Sequence, residues 1–355
     1  MTNRTNQLWL MGAYGNGNLG DDMLGDLARR SLELSVRSPK IFAGDYFPFE
    51  RAADHGRRAI FSNVRGGDQV LIAGGGLLND HFGYGFLKLF ASLAVVLRLK
   101  RARHSFIGIG VEGFTTRFGA FLGFLATRLA SSVSVRDKSS QEHIESIGVK
   151  ARVIPDLGWL ARRHLPKADL LAERRIVVLS IAIERESMRE SRELLIKNAA
   201  AQVLRDTNMD VVLVAMQSSA LPALDDCCSL RSIQEMLGST RVSVARPRDY
   251  RELYPLLQKA KVVAGFRLHA GVLGVVAGSR VVALSRSHKV REALSGLVQC
   301  TVVDEGSAMI DESGSFLDAI AEACSLPPVK GEELAIVDEY CRIVETELVS
   351  GVDEK

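Results

Sequence analysis

Short runs of Val, Ile and Leu alternate with longer helical patterns along almost the whole chain. LWLMGAY, KIFAG, VLIAG, SFIGIG and SVSVRD occupy the first half, and IVVLSIA, DVVLVAM, RVSVA, KVVAGF and RVVALS the second. Runs apolar at nearly every position do not suit a sheet with one wet face. They suit parallel strands covered on both sides by crossover helices. The intervening patterns at residues 22–36, 85–100, 117–130 and 139–147, then 187–206, 229–237, 250–259 and 269–278, supply that cover. The expected class is therefore α/β, with two Rossmann-like domains facing a cleft. The polar, basic, proline-containing stretch ARRHLPKADLLAERR at 161–175 reads as the linker. Residues 1–165 then form the N-terminal domain and 175–330 the C-terminal one, with a helix and tail over 331–355.

Charge and cysteine content remove several function classes. The 45 basic residues are almost balanced by 42 acidic ones and are interspersed with them, which argues against nucleic acid as a partner. Local placement of charge must matter more than its sum. Five cysteines without a CxxC or CxxH spacing suggest neither a disulfide framework nor a structural zinc, so no metal is expected and a reducing cytoplasm is the expected location. The apolar run Leu8–Met11 is too short for the core of a signal peptide. FLKLFASLAVVLRLK (86–100) and FGAFLGFLATRLA (118–130) fall short of the ~20 apolar residues of a bilayer span. They read as buried helices, with peripheral contact at the inner face of a membrane as the alternative.

In such folds ligands gather at the carboxyl ends of strands, so the residues there are the site candidates. GAYGNGNLGDDML places Gly15, Gly17 and Gly20 in a GxGxxG spacing after the first strand, with Asp45 after the second where a ribose-binding acid is sought. Asp21 and Asp22 at the helix start would repel a pyrophosphate, which points to a neutral, hydroxyl-rich ligand instead. LIAGGGLLNDHFG repeats the design with Gly75, Gly76, Asn79 and Asp80. Asn18, Asp21, Gly75, Gly76, Asn79 and Asp80 are thus the candidate acceptor-binding residues. Arg136 ends the SVSVRD strand, and its planar guanidinium suits a carboxylate or phosphate. Asp156 follows the next strand, while His55 and His81 read as ordinary loop residues. In FRLHAGVLGVVAG, Arg267 and His269 lie two apart where a strand turns into a helix. Both side chains can face one ligand, beside the first free helix amides. Lys289 follows the next strand and can reach the same corner, making an anion site.

Taken in order, GNGNLGDD, AGGGLLND, FIGIGVEG, VRDKSSQEHIESIG with PDLGWL, and FRLHAGVLGVVAG with SHKV resemble the polysaccharide pyruvyl transferase family over about residues 12–290. The resemblance implies a GT-B-like fold and transfer of pyruvate from phosphoenolpyruvate to two hydroxyls of a polysaccharide or lipid-linked sugar, as a cyclic ketal with release of phosphate. No cofactor beyond phosphoenolpyruvate as co-substrate is implied. It further implies that His269 is the general acid and that Arg136, Arg267 and Lys289 hold the anionic donor. This chain departs from the family in SRSHK, DLGWL and VEG, so a nucleotide-sugar glycosyltransferase and a non-catalytic sugar-binding protein of the same fold remain alternatives.

Overall fold

The computed structural model describes residues 6–36, 38–44, 48, 55–81, 83–170, 172–183, 185–219, 225–285, 288–306 and 314–353. The chain divides into two compact units, the first comprising Met1–Asn16, Asp21–Leu160 and Tyr340–Lys355, the second Gly17–Gly20 and Ala161–Glu339.

The first unit is built on eight strands: β1 (Leu8–Met11), β2 (Lys40–Ala43), β3 (His55–Gly56), β4 (Gln69–Ala73), β5 (Gly76–Asn79), β6 (Arg103–Gly113), β7 (Val133–Val135) and β8 (Arg152–Val153). Their order is β3-β2-β1-β4-β6-β7-β8, with β5 beside β6, and every pairing is parallel. Order reverses between β1 and β4, leaving a crevice at their carboxyl ends. Helices Gly85–Leu99 and Arg117–Arg128 form where the apolar segments stand, and bury Phe90, Leu93, Leu97, Leu122 and Ala126 in the core. The triple glycine does not remain a loop throughout. After Gly74 and Gly75, both at positive φ, the chain re-enters the sheet as β5. That pairing depends on a partner distant in sequence, so local pattern does not show it.

The second unit has β9 (Ile176–Ser180), β10 (Asp210–Val214), β11 (Val242–Ala245), β12 (Ala260–Gly265), β13 (Arg280–Ser285) and β14 (Cys300–Asp304), in the parallel order β11-β10-β9-β12-β13-β14. The five apolar runs of the second half all become strands. β14 and the helix Gly314–Ser325 are additional; the half-exposed residues of β14 lack the signal of the inner strands. Helix Arg189–Asp206 covers the sheet with Leu195, Ile196, Ala199, Ala200 and Val203. Each larger aliphatic buried there contributes about 1.5–3 kcal/mol.

The terminal helix, expected over 332–349, spans Ala335–Asp353. Its later part packs as an element of the first unit, where Arg152 donates to Glu347 at 2.9 Å, Gln69 donates to the Gly351 carbonyl, and Tyr340 lies 5.7 Å from the Trp159 ring. No helix of the described residues is long and apolar enough to cross a membrane.

Candidate active site

Four stretches far apart in sequence meet in the second unit. β12 ends at Gly265, whose φ of 130° brings its backbone against β9 so closely that a Cβ would sit 2.0 Å from the Ser180 carbonyl oxygen. Only glycine permits that approach. Arg267 then occupies the N-cap of helix Leu268–Val276 with extended backbone. Within the helix Gly271 and Gly274 meet Val281 and Val263 at distances a side chain would close, so the helix lies directly on β12 and β13.

The Arg267 guanidinium is mostly engaged. Nη2 donates to Asp226 Oδ1 at 2.6 Å, and Nε donates to Asp226 Oδ2 at 3.2 Å and to the Ile181 carbonyl at 3.0 Å. Asp226 is fully buried and also accepts from the amides of Met216 (3.1 Å) and Gln217 (2.9 Å). Burial pushes its carboxyl upward in pKa, against the pull of Arg267 and the two amides. Neither Asp226 nor Gln217 was among the residues singled out from sequence. The only local signal is the pair Asp225–Asp226 opening a helix after a strand, the same arrangement as Asp21–Asp22.

The loop Gly17–Gly20 completes this corner. Leu19 donates its amide to Met216 at 2.9 Å, Ser218 donates to Gly17 at 2.8 Å, and Asn18 forms a bridge with Gln217. Asn18, expected on the acceptor side of the N-terminal domain, therefore stands with the second unit. Its Oδ1 accepts from the Gly20 amide at 2.9 Å. Gly20 lies flat against His269, and a Cβ there would be 2.2 Å from Nδ1. Gly20→Ala is thus expected to tilt the imidazole and lower kcat by about 100-fold, the scale of an ångström-sized misplacement. Donor affinity should change far less. An unchanged kcat in that variant would show that the ring's position is immaterial.

In the first unit the candidates separate into a cluster and a structural group. Arg136 is buried, with Nη1 3.3 Å from Asp156 Oδ2 and Nε 3.5 Å from Asp137 Oδ2. Its guanidinium covers Gly110, where a Cβ would lie 2.6 Å from Nη2. Burial works against its charge, but the carboxylates of Asp156, Asp137, Glu112 and Asp21 outweigh that cost and raise its pKa. Gly75 faces Asp21 and Gly76 faces Glu112, so these residues form one glycine-floored, net acidic patch around a single cation. Glu112 was not foreseen as a site residue. Asp137 caps the following helix by accepting from the Ser140 amide at 2.6 Å.

Asp80 has a different task. Its carboxylate accepts from the amides and hydroxyls of both Thr115 and Thr116, at 2.7 to 2.9 Å, fixing the turn before helix Arg117–Arg128. Burial raises its pKa, but these four donors more than offset that and hold it at about 2. A depressed folded-state pKa stabilises above the ordinary carboxylate range and is lost as pH falls toward 2. Asp80→Asn should lower stability at neutral pH by about 1–2 kcal/mol, and thermal melts should show that difference shrinking as pH drops from about 5 to about 2. A deficit that stays constant over that interval would deny Asp80 its charged role. Asn79 is half-buried at the end of β5. His81 is exposed, with Nε2 3.1 Å from the Glu112 carbonyl oxygen.

The glycine-rich spacing after β1 does not leave its amides open. Asp22 accepts from the Gly15 amide at 2.6 Å, filling part of the nest a pyrophosphate would need. Asp45 lies outside the described residues. So do the side chains of His55 and Lys289, although the backbone of Lys289 stands in the first turn of helix His288–Leu294.

The family model of polysaccharide pyruvyl transferase matches residues 18–288, which include Asn18, Gly20, Arg136, Asp226, Arg267 and His269. Comparison with curated proteins gives no match. Among solved structures, S. aureus MnaA in a UDP co-structure has a TM-score of 0.62 at 11% identity, covering 98% of this chain and 96% of its own. Anabaena Alr3699/HepE in complex with UDP and glucose gives 0.61 at 14%, covering 99% and 100%. A UDP-GlcNAc 2-epimerase from Methanocaldococcus jannaschii gives 0.61 at 10%, covering 96% and 99%. At these identities the likeness is one of fold, and the fold is GT-B-like.

Proposed function

The chain belongs to the polysaccharide pyruvyl transferase family, and on that premise we propose that it transfers pyruvate from phosphoenolpyruvate to two hydroxyls of a glycan or lipid-linked sugar, forming a cyclic ketal. The observation that carries this reading is the seat of His269. It stands in the first turn of a helix at the topological switch of the second sheet, beside a partly engaged arginine and against a bare glycine backbone.

An imidazolium there donates its proton to the terminal methylene of phosphoenolpyruvate, and the adjacent carbon becomes an oxocarbenium-like electrophile. One sugar hydroxyl adds to that carbon, the carbon–phosphate oxygen bond breaks, and the second hydroxyl closes the ring. Of the two hydroxyl protons, one leaves with phosphate and the other restores the imidazolium. Arg267 contributes its Nη1, which bonds no described residue, while Asp226 fixes its plane. Lys289 and the positive N-terminal end of helix Leu268–Val276 add to the donor's field.

The Arg136 cluster suits the acceptor better than the donor. A cation amid four carboxylates offers little net attraction to phosphate, whereas alternating donors and acceptors over a glycine floor match vicinal sugar hydroxyls. Asp21 and Glu112 are the carboxylates suited to orienting or deprotonating such a hydroxyl. Asn79 provides a further amide and Asp80 holds the adjoining turn.

A thermal-shift comparison of phosphoenolpyruvate, UDP-sugars and NAD tests the donor. A ligand at 100 times its Kd stabilises by about 2.7 kcal/mol, so phosphoenolpyruvate alone should move the midpoint appreciably. Stabilisation by a UDP-sugar without response to phosphoenolpyruvate would favour a glycosyltransferase and reject this proposal.

A further inference from the structure

The near-neutral charge of the chain conceals a strongly biased segment. Between His81 and Arg136 stand seven lysines and arginines and one acidic residue, Glu112, whereas the chain as a whole has 45 basic and 42 acidic residues. This segment also contains the two most apolar helices of the first unit, Gly85–Leu99 and Arg117–Arg128. The two pack on each other and on the core, but each keeps an outward stripe.

Along Arg117–Arg128 the stripe runs through Phe118, Phe121 and Arg128, spaced so that all three lie on one side of a helix. Phe118 is 49% exposed and Phe121 56%. Along Gly85–Leu99 it runs through Lys88, Val95 and Leu99, the last being 78% exposed. Tyr84 joins the two stripes at their starts. Its ring meets Phe118 edge-on at 5.2 Å, and the Lys88 ammonium lies 5.7 Å from its centre. Lys88, Arg98, Arg117 and Arg128 are all exposed, and none is in an ion pair among the described residues. Exposed cations on a globular surface ordinarily have acidic neighbours nearby, and neither helix Gly85–Leu99 nor helix Arg117–Arg128 contains an acidic residue.

We infer that this two-helix face of the first unit docks on an anionic lipid surface. The aromatic and aliphatic side chains reach the boundary between headgroups and acyl chains, and the four unpaired cations meet lipid phosphates. Phenylalanine is suited to that depth because its ring carries no polar group that must remain in water. A protein partner is less well matched. An interface core is usually depleted of charge, whereas this face interleaves its apolar groups with cations along their whole length. The inference rests on surface composition and does not depend on the pyruvyl transfer reading.

Cosedimentation of the full chain with vesicles tests it. Binding should be strong to phosphatidylcholine mixed with phosphatidylglycerol, weak to phosphatidylcholine alone, and reduced by salt. Phe118→Ser with Phe121→Ser should lower partitioning about tenfold or more, and because both residues are exposed the variant should melt as the parent does. Arg117→Glu with Arg128→Glu provides a second variant, which should lose the preference for phosphatidylglycerol. Failure to bind phosphatidylglycerol vesicles, or equal binding by both variants, would overturn the inference. So would a dimer in light scattering that dissociates on the Phe118 and Phe121 changes, since the face would then serve a second copy of the chain.

Discussion

Replacing His269 by glutamine should lower kcat by at least about 100-fold while leaving the unfolding midpoint almost unchanged. The magnitude is that of losing a positioned general acid. Glutamine keeps a polar side chain of similar reach but does not titrate, so the proton for the methylene carbon would have to come from water. Stability should survive because the ring is only half-buried and its closest constraint is the backbone of Gly20. Phosphate release from phosphoenolpyruvate with a panel of glycan acceptors, alongside a thermal melt, gives both readings. A fully active, folded His269→Gln protein would remove the general acid from the mechanism. Paired with Gly20→Ala, the experiment separates the chemistry of the imidazole from its placement.

Arg267→Ala should act first on folding. Sequence reasoning gives Arg267 the task of holding the donor, and its loss would then mainly weaken donor binding. In the structure its guanidinium is paired with the fully buried Asp226, which would be left without its counterion. Removing one member of a buried pair costs about 3–5 kcal/mol, much of the stability of a typical domain. Chemical denaturation should therefore show a large fall in midpoint. The double variant Arg267→Ala with Asp226→Ala should recover part of it, since the orphaned charge is gone. If Arg267→Ala melts like the parent, the pair is not what holds this corner together. Arg267→Lys is the better probe of donor binding: it keeps a charge near Asp226 but loses the planar fork. Its Km for donor should rise more than its kcat falls.

The outward stripe of Phe118 and Phe121 also changes how the apolar segments are understood. Composition alone offers buried helices or membrane contact as alternatives, and the structure shows helices buried along one side and exposed along the other. The inner faces of these helices carry Leu93, Leu97 and Leu122 into the core, and the outer faces carry unpaired cations. Helical periodicity is visible in sequence, but the face turned outward is chosen by how the two helices pack on each other and on the core.

How the candidate residues performed follows the same division. His269 and Arg267 could be singled out because a strand-to-helix turn is a local pattern, and such turns face ligands in parallel sheets. Asp80 resembled its neighbours in sequence, yet its carboxylate is committed to Thr115 and Thr116, more than thirty residues away. Asn18 looked like a residue of the first unit because it follows β1, but two backbone bonds tie its loop to Met216 and Ser218. Asp226 and Glu112 gave too weak a local signal, because a carboxylate at a helix start or in a strand acquires significance only from the cation it meets.

The alternation of apolar runs and helical patterns determined the α/β class, the parallel strands and the ends at which chemistry collects, since burial on both faces is a property each strand carries by itself. Ordered motifs in the same chain were sufficient to indicate the family. Tertiary structure alone decided which strands lie adjacent, that Gly17–Gly20 packs with the second unit, and that Arg267 is paired before any ligand arrives. The physical reason is range: backbone preference and hydrophobic periodicity act between neighbours in sequence, whereas ion pairing, close glycine contact and exposure depend on residues brought together only by folding.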